Sequence, residues 1–342
     1  MSVEAPPATS DNGNALIRVV NLKKWFPIQQ GLLDQILSRE GLHVRAVDGV
    51  SFELARGEVL GLAGESGSGK TTIGRLVLRL LEPTEGQIYF DGEEITALDG
   101  EDLRKLRRRM QVVFQDPYAS LNPRMKVGDQ IAHPYKIHVE SSDPERREAV
   151  EEIMEQVGLT PASQIFDKYP HQLSGGMRQR AVLARALITH PDLIVADEPI
   201  AMADVSVRAQ LLKLMVQLQR DLNLTYLFIT HDLATAKYIC DRIGILYLGR
   251  LAELGPLKKV YRKPLHPYTQ ALLEAVPVPN PEYRRTTAMP KGEIPNPISP
   301  PSGCRFHPRC PIAKEICSVD EPEMRELEPN HFVACHFAEQ FL

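Results

Sequence analysis

The residues that could do chemistry begin at Gly64, where the run GESGSGKTT extends to Thr72. Glycines at 64, 67 and 69 let the backbone curl until successive N–H groups point inward. A following helix adds the positive end of its dipole, so the loop is a cradle for phosphate. Lys70 can then reach β- and γ-phosphates, and the hydroxyl of Thr71 can ligate magnesium. The candidate contacts are Gly64, Ser66, Gly67, Ser68, Gly69, Lys70, Thr71 and Thr72. The apolar run GEVLGLAG before the loop and the helical pattern TTIGRLVLRLL after it supply the strand and helix that such a loop needs.

A second chemical group ends the apolar run LIVADEP, Leu193 to Pro199, in two adjacent carboxylates. Any buried strand can end in an acid. Coupled to a phosphate loop, however, Asp197 becomes a partner of magnesium, direct or through its shell, and Glu198 the group that orients or deprotonates an attacking water. Such a base is worth about 10² to 10⁴ in rate. A third stretch, LSGGMRQR from Leu173 to Arg180, offers Ser174 as a helix N-cap followed by Gly175 and Gly176, and exposed N–H groups there would attract an anion. The chain thus carries two candidate anion cradles.

These groups need elements to hold them. Apolar runs bounded by turns occur at ALIRVV, HVRAVDGVSFEL, GEVLGLAG, GQIYFDG, MQVVFQ, DLIVADEP, LTYLFIT and RIGILYLGRLAELG, each read as a strand. Helical patterns lie between several of them, as at Val207, Leu211, Leu214, Leu218 and Leu222. Strands alternating with helices imply an α/β fold with a parallel, covered sheet. From Val127 to about Pro170 strands are lacking and a helical insertion is expected. The eight prolines between Val276 and Gly303 exclude a helix or central strand and imply an extended arm.

With 342 residues, 43% hydrophobic and 25% charged, the chain has the composition of a soluble globular protein. A net charge of -4 gives no reason to expect nucleic acid, and the basic cluster Arg104 to Arg109 reads as a solvated helix face. No apolar run of about 18 residues is present to span a bilayer. The polar start MSVEAPPATSDNGN lacks the pattern of a secretion signal. A cytoplasmic location follows as the expectation, and the five cysteines are then better metal candidates than disulfide candidates.

On these motifs the chain resembles the ATP-binding cassette family, whose LSGG signature precedes the strand LIVADEP at the spacing found here. The resemblance implies a P-loop NTPase of the ABC type, with an antiparallel β subdomain, a helical subdomain and a small C-terminal cysteine-containing extension. It divides the chain into a flexible tail at 1–15, the ATPase domain at 16–275 with its helical subdomain at about 125–180, and a proline-rich arm with extension at 276–342. It also implies that two cassettes pack head to tail, so that Ser174, Gly175 and Gly176 close over ATP held by the opposite subunit. By position, Gln115 matches the glutamine linking γ-phosphate and magnesium to a transmembrane partner, and His231 the histidine that bonds the γ-phosphate. Phe26 matches the aromatic that stacks on adenine, with Trp25 as its rival. Magnesium would be held by Thr71, Gln115 and Asp197. One departure stands out. Where the family reads SALD, this chain has Ala201, Met202, Ala203 and Asp204, which puts the communication between the two sites in doubt.

LKKWFP, the GLL-containing insertion, QDPYASLNPR, PLHPYTQALLEAV and GEIPNPISPPSGCRFHPRC resemble the dipeptide and oligopeptide importer branch, and LKKxFP its second ATPase. The resemblance implies a subunit on the cytoplasmic face of the membrane, paired with a homologous ATPase as a heterodimer beneath two permeases and served by an external solute-binding protein. Cys304, Cys310, Cys317 and Cys335 are separated by five, six and seventeen residues, without the short knuckles of most zinc sites. Four thiolates suit an iron-sulfur cluster or zinc. The branch implies a four-iron four-sulfur cluster, and His307, His331 and His336 keep zinc open. A tail this small cannot bury enough surface to stand alone, which is a reason for a metal staple. Cys240 reads as a core residue. The rivals are a non-transport ABC ATPase acting in DNA repair, on ribosomes or in iron-sulfur assembly, and a redox-sensing module. One cassette without coiled coil or added zinc modules argues against the first.

Overall fold

The computed structural model describes residues 15–28, 42–276 and 292–342. The N-terminal tail, the GLL insertion and the first part of the proline-rich arm lie outside these described residues. The described chain divides into two compact units. The first holds the described parts of Met1–Leu54, Leu60–Thr96 and Thr230–Leu342; the second holds Ala55–Val59 and Ala97–Ile229.

The first unit starts with β1 (Ala15–Pro27) and β2 (His43–Ala55). In β2 the inward residues Val50, Phe52 and Leu54 alternate with half-buried Ser51 and Glu53, the period of two of a sheet with one covered face. By contrast β3 (Val59–Ala63) is buried at every position, as its unbroken apolar sequence requires. It feeds the phosphate loop, and the loop feeds α1 (Lys70–Val77). β4 (Glu85–Phe90) runs antiparallel to β1, from Ile17 opposite Phe90 to Lys23 opposite Glu85. With β5 (Glu93–Glu94) the strand order is β2-β1-β4-β5, the antiparallel sheet implied by the resemblance.

The second unit opens with α2 (Gly100–Arg109), which carries the basic cluster and buries none of its residues. Its strands β6 (Met110–Val113), β7 (Leu193–Asp197) and β8 (Thr225–Thr230) are parallel, with Met110 opposite Leu193 and Leu193 opposite Thr225. Between β6 and β7 lies the expected helical insertion, with α3 (Val127–His138), α4 (Asp143–Gln156) and α5 (Gly175–Leu187). The start of α4 is set locally by Ser142 and Glu145, whose side chains each bond the other's backbone N–H. After β7, α6 (Val205–Asp221) buries Leu211, Leu214 and Leu218.

The chain returns to the first unit through α7 (Leu233–Ile239). RIGILYLGRLAELG, read as one strand, is instead a hairpin of β9 (Arg242–Tyr247) and β10 (Arg250–Pro256). Leu248 and Gly249 form its turn with φ of 43° and 81°. Two consecutive positive φ values make the tight turn that suits strand twist. A leucine in the first place hides that turn from a reading that looks for Asn-Gly. β9 is parallel to β3.

After α8 (Pro267–Ala275) and α9 (Glu315–Val319), the tail adds β11 (Arg325–Glu328) and β12 (His331–Val333). β12 pairs antiparallel with β10, giving the order β11-β12-β10-β9-β3. Leu265, Val333, Cys335 and Ala338 form a small core there. The tail is therefore built onto the ATPase sheet by strand addition, which gives it a hold besides any metal.

Candidate functional site

The phosphate loop is shaped by contacts that exclude side chains. Gly64 has φ 151°, and a Cβ on it would sit 2.2 Å from the Leu246 carbonyl oxygen. Gly69, the residue before α1, has φ 104° and would meet Ala46 O at 2.3 Å. Lys70 is 6% exposed, and its Nζ donates to Gly64 O at 2.8 Å, Glu65 O at 2.9 Å and Ser68 Oγ at 3.3 Å. The ammonium thus lies within the curl of the loop, while Ser66 and Gly67 at the tip are exposed and Thr71 and Thr72 are half-buried in the first turn of α1.

Three other candidate residues fall in the same unit. His231 is exposed directly after β8, before Asp232 caps α7. Phe26 is half-buried in β1, with the Lys24 ammonium 5.3 Å from its ring centroid. Trp25 is committed otherwise: its indole N–H donates to Asp48 Oδ1 at 3.0 Å, and Lys23 and Arg45 lie over its ring. That leaves Phe26 the less constrained of the two aromatics.

In the second unit Asp197 ends β7 and Glu198 follows it with φ 48°, a left-handed conformation uncommon for glutamate and of the kind that gathers at functional sites. Contacts at both its backbone and its side chain hold Glu198. Its N–H donates to Ile229 O at 2.9 Å, and its Oε2 accepts from Gln115 Nε2 at 2.9 Å. The structure therefore brings together Gln115 and Glu198, which lie 83 residues apart. Ser174 caps α5, its Oγ accepting from Met177 N–H at 3.3 Å. Ser174 and Gly175 are exposed. A Cβ on Gly176 would lie 3.0 Å from Val207 of α6. The surviving aspartate of the departed segment, Asp204, caps α6 through Val207 N–H at 2.9 Å, while Met202 is 56% exposed. Sequence reasoning missed Gln179, which is 7% exposed and donates to Pro199 O at 2.9 Å, tying the signature helix to the end of the carboxylate strand. A glutamine on the inward stripe of an amphipathic helix was the available signal.

Cys304, Cys310, Cys317 and Cys335 line one cavity, together with His307 and His336. His331 does not line it; it is 1% exposed, and its Nε2 lies 2.7 Å from Glu253 Oε1. Burial, reinforced by neighbouring thiols, pushes Cys304 and Cys335 up to about 11. Among the described residues, no group of three or more His, Cys, Asp or Glu side chains is already arranged to hold a metal ion. The donor set still fits one chemically, since four thiols facing one enclosed space are favoured as thiolates only when a cation compensates them. Cys240 is a buried core residue lying against Gly61.

The same extension carries two arginines that sequence reasoning passed over. Arg305, 8% exposed, pairs with the 3% exposed Asp48 and donates to Leu248 O. Arg309 forks onto both carboxylate oxygens of Glu65 at 2.7 and 3.0 Å. Neither guanidinium has a carboxylate nearby in sequence, which was the only sign that its partner lay far along the chain.

A phosphate loop between a buried strand and a helix, a carboxylate pair after a parallel strand and a glycine-led signature helix define an ATP-binding cassette. Residues 47–201 match the family "ABC transporter", and residues 252–317 match "Oligopeptide/dipeptide transporter, C-terminal region". The chain is 50% identical over 331 residues to the oligopeptide transport ATP-binding protein AppF of Bacillus subtilis, covering 96% of this chain and 99% of that one. It is 47% identical over 322 residues to the di/tripeptide transport ATP-binding protein DppF of Pseudomonas aeruginosa, covering 94% and 97%. Among solved structures, a dimeric bacterial ABC transporter cassette aligns with TM-score 0.60 and 29% identity over 70% of this chain and 98% of that one. The same cassette has been seen in a dimeric post-hydrolysis state bound to ADP and Pi. The chain belongs to the ABC transporter family, as an ATPase of its oligopeptide and dipeptide branch.

Proposed function

We propose that this chain is the ATP-hydrolysing subunit that powers peptide import across the cytoplasmic membrane, working from the cytoplasmic face. One observation carries the reading: the likeness to AppF runs through 99% of that protein and so takes in the branch-specific C-terminal region as well as the cassette. The rival of a non-transport ATPase finds no support in relatives named for oligopeptide and di/tripeptide transport. No described helix is long and apolar enough to cross a membrane. In this reading the path for the solute belongs to permease partners. The assembly would hold two such permeases, a homologous ATPase as the other half of a heterodimer, and an extracytoplasmic solute-binding protein.

In this reading Lys70 and the N–H groups from Gly64 to Thr72 take the phosphates, and Phe26 stacks on adenine. Thr71, Gln115 and Asp197 supply the oxygens for magnesium, which would neutralise phosphate charge as the terminal bond breaks. Glu198 accepts a proton from the attacking water, with Gln115 orienting its carboxylate, and His231 donates to the γ-phosphate. The signature at Ser174 to Gly176 serves the nucleotide of the opposite subunit. Closing the pair is then a population shift. Moving from 1:99 to 99:1 takes about 5.5 kcal/mol of differential binding. Charge-assisted hydrogen bonds of roughly 1.5 to 3 kcal/mol each to the γ-phosphates supply it in the closed state alone. Cleavage removes them and the pair reopens.

Cys304, Cys310, Cys317 and Cys335 would hold a four-iron four-sulfur cluster, with zinc as the alternative. Such a group supplies a cross-link between three segments of the extension. Anaerobic purification followed by iron, sulfide and zinc determination separates the two, and a stoichiometric zinc content without sulfide would overturn the cluster. The transport reading is tested in proteoliposomes containing the permeases. Hydrolysis by the complex should rise when peptide-loaded binding protein is added; indifference to peptide would refute it.

A further inference from the structure

Between Cys304 and Cys310 the chain carries Arg309, and its guanidinium reaches into the phosphate loop. Nη1 donates to Glu65 Oε2 at 2.7 Å and Nη2 to Oε1 at 3.0 Å, a two-pronged pair that fixes direction as well as distance. Nη1 also donates to Tyr247 Oη at 3.3 Å. The arginine side chain is 9% exposed and the glutamate side chain 27%, so the pair is largely shielded from water.

Glu65 is the second residue of the cradle and is held on three sides. Arg309 grips its carboxylate, Tyr268 Oη accepts its N–H at 2.9 Å, and its C=O accepts from Lys70 Nζ at 2.9 Å. The rings behind these contacts pack together, with Tyr247 and Tyr268 centroids 4.6 Å apart and each 5.3 Å from Phe306 of the extension. An ion pair that only fastened the extension could use any surface carboxylate. This one uses a residue whose carbonyl, together with Gly64 O and Ser68 Oγ, accepts from the phosphate-binding lysine.

We propose that Arg309 is a positioning residue for the phosphate loop: by clamping Glu65 it holds the peptide that orients Lys70, so docking of the cysteine-bearing segment and binding of nucleotide are linked. Linkage is reciprocal, and nucleotide tightens the docking of residues 304–310 by the same factor by which docking tightens nucleotide. The coupling needs no metal. It stands whether the four thiols hold a cluster, zinc or nothing, and whatever solute the complex carries.

The test uses the full complex and compares Arg309→Met, Arg309→Lys, Glu65→Gln and the double variant Arg309→Met with Glu65→Gln. Arg309→Met should raise the KM for ATP about tenfold with kcat little changed, and Arg309→Lys should restore part of the loss. The double variant should be no worse than the poorer single one, because both remove the same clamp. Amide hydrogen exchange across residues 304–310 should slow when a non-hydrolysable ATP analogue is added to the wild-type complex, and should stop responding in Arg309→Met. Iron, sulfide and zinc are measured on every variant, so that loss of a metal is not mistaken for loss of the clamp. An unchanged KM in Arg309→Met, additive effects in the double variant, or exchange indifferent to nucleotide in the wild type would each overturn the proposal. Should Arg309→Met fail to fold, Glu65→Gln with its own KM and exchange response decides the matter, since it keeps the shape of the side chain and leaves the extension intact.

Discussion

Two helix starts in this chain are shaped for anions, and they are built in opposite ways. α1 begins behind glycines pressed against the carbonyls of Leu246 and Ala46, with its own buried lysine in the curl and Glu65 fastened from the extension. α5 begins at an exposed serine and an exposed glycine. The arginines nearest its start are engaged with backbone carbonyls: Arg178 donates to Pro170 O at 2.8 Å and Arg180 to Val157 O at 2.5 Å. The first cradle brings a full positive charge and a rigid frame, and in the proposed reading it holds phosphate by itself. The second brings N–H groups and a helix dipole, worth about 0.3 to 1 kcal/mol when exposed. In the proposed reading it serves a phosphate that the opposite subunit already holds.

The largest break in this comparison comes at the carboxylate strand. Glu198→Gln should lower turnover about 10² to 10⁴-fold while leaving ATP binding intact, so that the variant accumulates as a closed pair. Steady-state hydrolysis and size-exclusion chromatography with ATP read both parts, and turnover at the wild-type rate would remove Glu198 as the base. Lys70→Ala takes away charge-assisted bonds of about 1.5 to 3 kcal/mol apiece, so nucleotide affinity of the chain by itself should fall at least tenfold, as measured by titration calorimetry.

Acid should loosen the first cradle and spare the second. His266 accepts the Tyr268 N–H at 3.0 Å through Nδ1, capping the helix whose tyrosine supports Glu65. Burial holds its pKa down from 6.5 to about 4. Between those values the unfolded chain takes up the proton and the folded chain does not, so stability is complete above pH 6.5 and declines as the pH falls toward 4. A loss of about 2 kcal/mol between pH 7 and 5 is expected in denaturant titrations. His266→Asn, which keeps an acceptor for the cap, should flatten that decline; an unchanged slope would show that another group carries it.

The smallest effect sharpens the contrast most. Gly176→Ala places a methyl 3.0 Å from Val207, a contact that a slight shift of that side chain relieves. The chain alone should bind ATP as the wild type does, while turnover of the assembled complex falls by roughly tenfold, about 1.4 kcal/mol. A matching loss of affinity in the isolated chain would mean that this helix start serves its own nucleotide.

The parts legible in the sequence are those whose information is local. GESGSGKTT, LIVADEP and SGG each pack their chemistry into a few consecutive residues, and the buried strands β3, β7 and β8 announce themselves by unbroken apolar runs. The helical insertion followed from the lack of strand patterns between Val127 and about Pro170. The β9–β10 turn was missed because Leu248 adopts a positive φ that its type does not advertise. Strands β11 and β12 were missed because Arg325–Glu328 and His331–Val333 are too short to show alternation.

By itself the sequence determined the cradle, the carboxylates and the capped signature helix, because hydrogen-bonding geometry over a single turn is fixed by neighbouring residues. Only the tertiary structure decided which distant partners meet. Gln115 reaches Glu198 across 83 residues, and Arg309 reaches Glu65 across 244. A charge with no partner nearby in the chain records that it must be satisfied somewhere, and the packing of β12 against β10 is what brings the extension into the sheet and determines where.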